Sequence, residues 1–141
     1  MPDLNKLHEE HRSLAALAAR LSAIIGGDAP PPSGELYRLR MKLASELIHH
    51  LKNEDWVLYP ALLASNDERA ALTARTFSAG MGGLANEFWS YTGRWGAKAI
   101  DIDWKGYQRE TAEILRALTL RMVREERDLY PLLESTRQLA A

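Results

Sequence analysis

The chain has 141 residues, 46% hydrophobic and 26% charged, which is one domain's length with too much apolar content for a disordered chain. Its 18 basic and 19 acidic residues leave a formal charge of −1 with no basic stripe, which excludes the usual footprint of a nucleic-acid binder. The absence of cysteine excludes disulfides, thiolate metal sites, iron–sulfur clusters and cysteine nucleophiles.

In chain order, a first helix is predicted over 3–25. Its apolar positions Leu4, Leu7, Leu14, Ala18, Leu21 and Ile25, together with His11, recur in steps of three and four. The run from Gly26 to Gly34, with Pro30, Pro31 and Pro32, must be a loop. A second helix over 34–64 carries the stripe Leu36, Leu39, Leu43, Leu47, His50, Glu54, Val57 and Ala61, with a kink or early stop expected at Pro60. Ser65, Asn66 or Asp67 would cap a third helix over 67–95. Inside it, Gly80-Met81-Gly82-Gly83 is costly, each glycine by up to ~1 kcal/mol relative to alanine. Close helix packing or a local opening for a small ligand or partner would explain it. Phe88, Tyr91 and Trp95 extend an inward stripe, whereas Trp89 and Trp104 lie off it and mark either an interaction surface or partial burial. After a break from Gly96 to Asp103, Asp101 or Asp103 caps a fourth helix over 104–137. This helix contains Pro131 and the stripe Tyr107, Thr111, Ile114, Leu118, Arg121, Glu125, Leu129 and Leu132. Long amphipathic helices joined by short loops predict an all-α fold, an antiparallel up-down-up-down four-helix bundle. One domain over 1–141 is expected. The opening MPDLNKLHEE has no basic stretch followed by an apolar run, and no segment approaches the ~20 apolar residues of a membrane span. A cytoplasmic protein with no membrane partner is the expectation.

The second and fourth helices share a repeat. Glu54-Asp55-Trp56-Val57-Leu58-Tyr59-Pro60-Ala61-Leu62 aligns with Glu125-Glu126-Arg127-Asp128-Leu129-Tyr130-Pro131-Leu132-Leu133, retaining Glu, Leu, Tyr, Pro and Leu in register. Polar residues also interrupt the apolar stripes: His11, His50, Glu54, Arg121 and Glu125. Burying them is costly unless they pair or bind a cation. At ~1.5 Å per residue, His50 lies opposite about residue 10 of the first helix, and Glu54 and Arg121 both point to about residue 77 or 78 of the third. All five therefore fall in one layer. Two imidazoles and two carboxylates converging there suit a divalent cation such as iron, manganese or zinc.

The helix-one histidine, the His50-x-x-x-Glu54 pair and the Glu-x-x-x-Leu-Tyr-Pro repeats resemble the hemerythrin or HHE cation-binding family over nearly the whole chain. That family holds two irons in a four-helix bundle with five histidines and two bridging carboxylates. The resemblance implies that His11, His50, Glu54 and Glu125 are metal ligands. It also exposes departures. All four histidines lie at or before position 50, the third helix offers Phe77, Gly80, Met81 and Leu84 at the site level, and Arg121 stands where the fourth helix would supply a histidine. By analogy, the second iron has lost its terminal nitrogen ligands, so a complete di-iron centre is not expected.

One divalent cation on His11, His50, Glu54 and Glu125, iron first and zinc or manganese next, would make this a cation-binding or sensor domain. A metal-free layer in which Arg121 pairs with Glu54 and Glu125 would instead make it a regulatory or scaffolding bundle, with a protein partner or a second copy as its target. A third reading is redox chemistry on oxygen, peroxide or nitric oxide at the residual metal. No arrangement for nucleophilic catalysis is present, and the chain is read as non-enzymatic. His8 is expected near the ligands rather than among them, Glu46 on the surface with a place beside His50 as the alternative, His49 away from them, and Glu87 too far along the axis to take part.

Overall fold

The computed structural model describes residues 3–32 and 34–134, and no strand occurs among them. Helix α1 (Leu4–Ile25) starts at Asp3, whose side chain accepts from the Asn5 N–H at 2.9 Å. All seven positions of its expected stripe are buried.

Both copies of the repeat leave the α-helix in the same way. Helix α2 (Glu35–Asn53) runs into a π-helical turn at Glu54–Leu58 and resumes as α3 (Tyr59–Leu63). Near the end of the chain, α7 (Trp104–Arg124) runs into a π-helical turn at Glu125–Leu129, after which residues 130–134 are again helical. The expected continuation to 137 lies outside the described residues. A proline two residues past each turn explains the pattern. It brings no N–H to the ladder and crowds the carbonyl four residues back, and a wider turn relieves both problems. Tyr59 N–H accordingly bonds the Glu54 carbonyl, and Tyr130 N–H bonds that of Glu125.

The wider turns also correct the expected stripe. Val57 is 44% exposed and Leu58 is fully buried in its place; Leu62 likewise replaces Ala61, and Leu133 replaces Leu132. Each π-turn adds one residue, so a strict three–four spacing fails beyond it.

The expected helix over 67–95 is divided into α4 (Glu68–Met81) and α5 (Leu84–Arg94). Asp67 caps α4, accepting from the N–H groups of Arg69 and Ala70. Gly82 forms the break: a Cβ there would lie 2.4 Å from the Ser78 carbonyl oxygen, whereas one at Gly80 or Gly83 would meet nothing within 4 Å. The clash at Gly82 is with the backbone of α4 itself, so close packing against another helix explains none of these three glycines. Gly82→Ala is expected to cost about 1–3 kcal/mol, while Gly80→Ala gains up to ~1 kcal/mol, as urea unfolding of the two variants would show. The break from Gly96 to Asp103 contains a short helix, α6 (Ala97–Ile102), anchored by fully buried Ile100. Trp104 is half-buried, with its indole N–H on the Gly27 carbonyl, and Trp89 is 68% exposed.

Helix α1 packs on α2 and α7, α3 on α4, and α5 and α6 on α7. Their apolar faces form two clusters. The larger includes Leu14, Leu21, Leu43, Leu47, Phe88 and Leu118; the smaller includes Leu4, Leu7, Leu58, Leu62, Ala74 and Leu129. In sequence, His11, Glu54 and Glu125 fall between the residues of one cluster and those of the other, and His50 lies one turn before Glu54 at the edge of the larger cluster. No helix among the described residues is long and apolar enough to cross a membrane.

Candidate metal centre

Among the described residues, the buried polar or charged side chains other than tyrosines are His11, His50, Glu54, Thr111, Arg121 and Glu125. Apart from Thr111, they form the expected layer. One ligand atom from each of His11, His50, Glu54 and Glu125 lies within 4.8 Å of the others. His11 Nε2 is 3.2 Å from Glu125 Oε1, and His50 Nε2 is 3.1 Å from Glu54 Oε1. Neither contact is aligned as a hydrogen bond, and His50 Nε2 and Glu125 Oε1 are buried without a hydrogen-bond partner among the described residues. Such orphaned atoms are rare in protein interiors.

A second ring of carboxylates orients the imidazoles. Glu10 Oε1 lies 2.6 Å from His50 Nδ1, and Glu126 Oε1 lies 3.1 Å from His11 Nδ1 and 2.9 Å from His8 Nδ1. Carboxylates on Nδ1 favour a hydrogen there and direct Nε2 into the layer, the arrangement that supports a metal-binding histidine. His8 thus touches the site through Glu126 and through the Tyr130 ring, 5.2 Å away between ring centres. Glu46 accepts from Ser13 at 2.7 Å, His49 is exposed beside Asn53, and Glu87 is exposed.

The repeat tyrosines cross between the two halves. Tyr59 donates to Glu125 Oε2 and Tyr130 to Glu54 Oε2, each at 2.7 Å. Burial, with the glutamate charges adding to it, holds both phenols far above their ordinary range, so they remain donors. Tyr59→Phe and Tyr130→Phe are each expected to cost about 1–3 kcal/mol, by removing a hydrogen bond to a buried acceptor, when measured by urea unfolding.

Arg121 closes the layer opposite the histidines. Nη2 donates to Asp55 Oδ1 at 2.7 Å and to Glu54 Oε1 at 3.2 Å; Nε donates to Glu125 Oε2 at 3.2 Å. Nη1 reaches the Met81 carbonyl at 3.2 Å, at the C-terminal end of α4, where helix-end carbonyls favour a cation. The glycine break therefore gives Arg121 a main-chain acceptor.

These charges set the protonation of the layer. Burial opposes a charge on His50, but the carboxylates of Glu54 and Glu10 outweigh it and raise the imidazolium to about 9. Burial opposes a charge on Glu54 as well, yet His50 and Arg121 hold it down at about 2. Glu125 moves the other way, raised by burial and by the Glu54 charge against His11 and Arg121.

Sequence reasoning passed over Glu10, Asp55 and Glu126, and the hydrogen bonds of Tyr59 and Tyr130. A signal for most of them was present: the repeat places an acid after each glutamate, at 55 and 126, and a tyrosine five residues after it.

A helical chain that buries two imidazoles and two carboxylates at one point, with their outer faces held by further carboxylates, has the build of a cation-binding domain. The chain matches the family model described as hemerythrin HHE cation binding domain over residues 3–133, and it belongs to that family. No curated protein and no solved structure matches it. The donor set fits the group this family binds: of the three buried side-chain atoms without a hydrogen-bond partner among the described residues, one is the distant Tyr107 hydroxyl and the other two are a nitrogen and an oxygen of the expected ligands.

Proposed function

We propose that this chain is a hemerythrin-like sensor domain, not an enzyme, that binds one divalent cation on His11, His50, Glu54 and Glu125. Its helices form an antiparallel up-down-up-down bundle, with α4 and α5 as one interrupted member. The observation that carries the reading is the pair of orphaned atoms, His50 Nε2 and Glu125 Oε1, within a four-residue cluster. Two nitrogens and two carboxylate oxygens suit iron(II), with zinc and manganese as alternatives. A bound ion would supply a Lewis-acidic and, if iron, a redox-active centre for the signal.

Arg121 would take the place of a second cation. Its guanidinium already neutralises part of Glu54, Asp55 and Glu125, and α4 and α5 contribute no histidine. Anaerobic titration of iron(II), followed by calorimetry, tests the assignment. One saturable site, lost in His50→Ala and in Glu125→Ala, is expected. Binding unchanged in both variants would overturn it.

The Arg121 pairs favour a second reading, a metal-free regulatory or scaffolding bundle for a protein partner. It predicts no saturable iron(II) or zinc binding by the wild-type chain, and recovery of a specific protein after cross-linking in native extract.

A further inference from the structure

Ligand chemistry also appears within the larger cluster, away from the polar layer. Helices α1, α2 and α5 enclose a pocket of about 340 Å³, walled by Tyr37, Phe88, Tyr91 and Trp95 and bearing one cation, Arg40. Its size falls within the range of small-molecule sites. Ten residues of helix separate Arg40 from His50, about 15 Å along the axis, so the pocket is distinct from the candidate metal centre.

The walls are held in place by bonds made elsewhere. Trp95 Nε1 donates to Glu110 at 2.8 Å, and the Tyr91 hydroxyl pairs with Thr111 Oγ1 at 2.6 Å. Tyr91 also stacks on Tyr107 at 6.0 Å and packs against Phe88 at 5.7 Å. Tyr91 and Phe88 are buried and form the back wall, so the ring surface open to the pocket comes from half-buried Trp95 and Tyr37.

Arg40 is the exception. Its guanidinium carbon lies 6.0 Å from the Tyr37 ring centre and 5.6 Å from that of Tyr107, and no carboxylate among the described residues pairs with it. Ring faces attract the cation but leave its fork of N–H donors without an anion. Arg94, next to Trp95 in the chain, pairs with Glu110, and Arg121 pairs with three carboxylates. A partly buried guanidinium held on ring faces inside an aromatic pocket is complementary to one kind of ligand.

We propose that this pocket binds a small planar aromatic acid, with its ring among the aromatic side chains and its carboxylate on the Arg40 guanidinium. Ring-on-ring contact rewards the planar body, and the guanidinium matches a carboxylate through two parallel hydrogen bonds. The assignment is independent of the metal reading.

Calorimetric titration of the full chain with 2-naphthoate, and separately with 2-naphthamide, tests it. The amide keeps the ring and removes the charge. One saturable site is expected for the acid, with a Kd of roughly 10–100 μM, and binding about tenfold or more weaker for the amide. Arg40→Gln should reduce the acid's affinity to that of the amide, with circular dichroism unchanged. Ala44→Phe, which places a ring in the pocket, should abolish binding of both. The proposal is overturned if the acid shows no saturable binding below ~1 mM. It is equally overturned if acid and amide bind the wild-type chain alike, a comparison that needs no variant to fold, or if Arg40→Gln retains the acid's affinity.

Discussion

Replacing Arg121 by methionine is expected to cost the metal-free protein about 3–5 kcal/mol, the range for removing one partner of a buried charge network. The side chain is 2% exposed and donates to Glu54, Asp55, Glu125 and the Met81 carbonyl. Methionine fills similar volume, so the loss isolates charge and hydrogen bonding from packing. Cation binding should move the other way. A positive charge a few ångströms from the ligands repels a second one, so Arg121→His is expected to tighten zinc or iron(II) binding by tenfold or more. It should not create a di-iron centre, because α4 and α5 still offer no histidine. Urea unfolding and metal titration check the two halves. Unchanged stability in the methionine variant would show that Arg121 is not the charge that balances the glutamates.

The second large effect is a reversal in pH dependence. In the metal-free protein, His50 is raised to about 9 from an ordinary 6.5. A raised imidazolium contributes stability that is fully present below ~6.5 and is lost as pH rises through about 9, worth about 3 kcal/mol in all. Glu54, held at about 2, contributes stability present above ~4.5 and lost as pH falls toward 2. From His50 and Glu54 the metal-free protein should be most stable between roughly pH 4.5 and 6.5. The raised Glu125 carboxyl opposes Glu54, losing its contribution as pH rises above ~4.5. A cation needs the His50 Nε2 lone pair, so binding must displace its proton. Affinity should climb about tenfold per pH unit up to about 9, and zinc-saturated protein should gain stability over the range where metal-free protein loses it. Parallel slopes for the two forms would contradict the assignment of His50 as a ligand.

The legible part of this chain was the part governed by helical periodicity. Leu4 through Ile25 repeat in steps that a straight α-helix must bury together, and they are buried. His11, His50, Glu54, Arg121 and Glu125 were conspicuous because they are charged or polar where that repeat requires apolar residues. Counting residues back from each loop then sufficed to place them at one level.

Periodicity failed where the backbone departed from it. The π-turns before Pro60 and Pro131 add a residue, so Leu58, Leu62 and Leu133 take the places expected of Val57, Ala61 and Leu132. At the interruption, Gly82 is required because a Cβ would collide with the Ser78 carbonyl oxygen, a local constraint that no spacing rule contains. Glu10, Asp55 and Glu126 escaped notice for a different reason. Glu10 and Asp55 are only partly withdrawn from solvent and Glu126 is exposed, so they resemble ordinary helix-surface acids until a histidine or guanidinium is placed beside them.

The proposed site holds a single cation on four buried residues, with Arg121 fixed where a second would sit. Elemental analysis of the full chain after anaerobic reconstitution with excess iron(II) and removal of unbound metal tests it most directly. About one iron per chain is the expected result, falling to none in His50→Ala. Two irons per chain would contradict the role given to Arg121, and none in the wild-type chain would contradict the cation site itself.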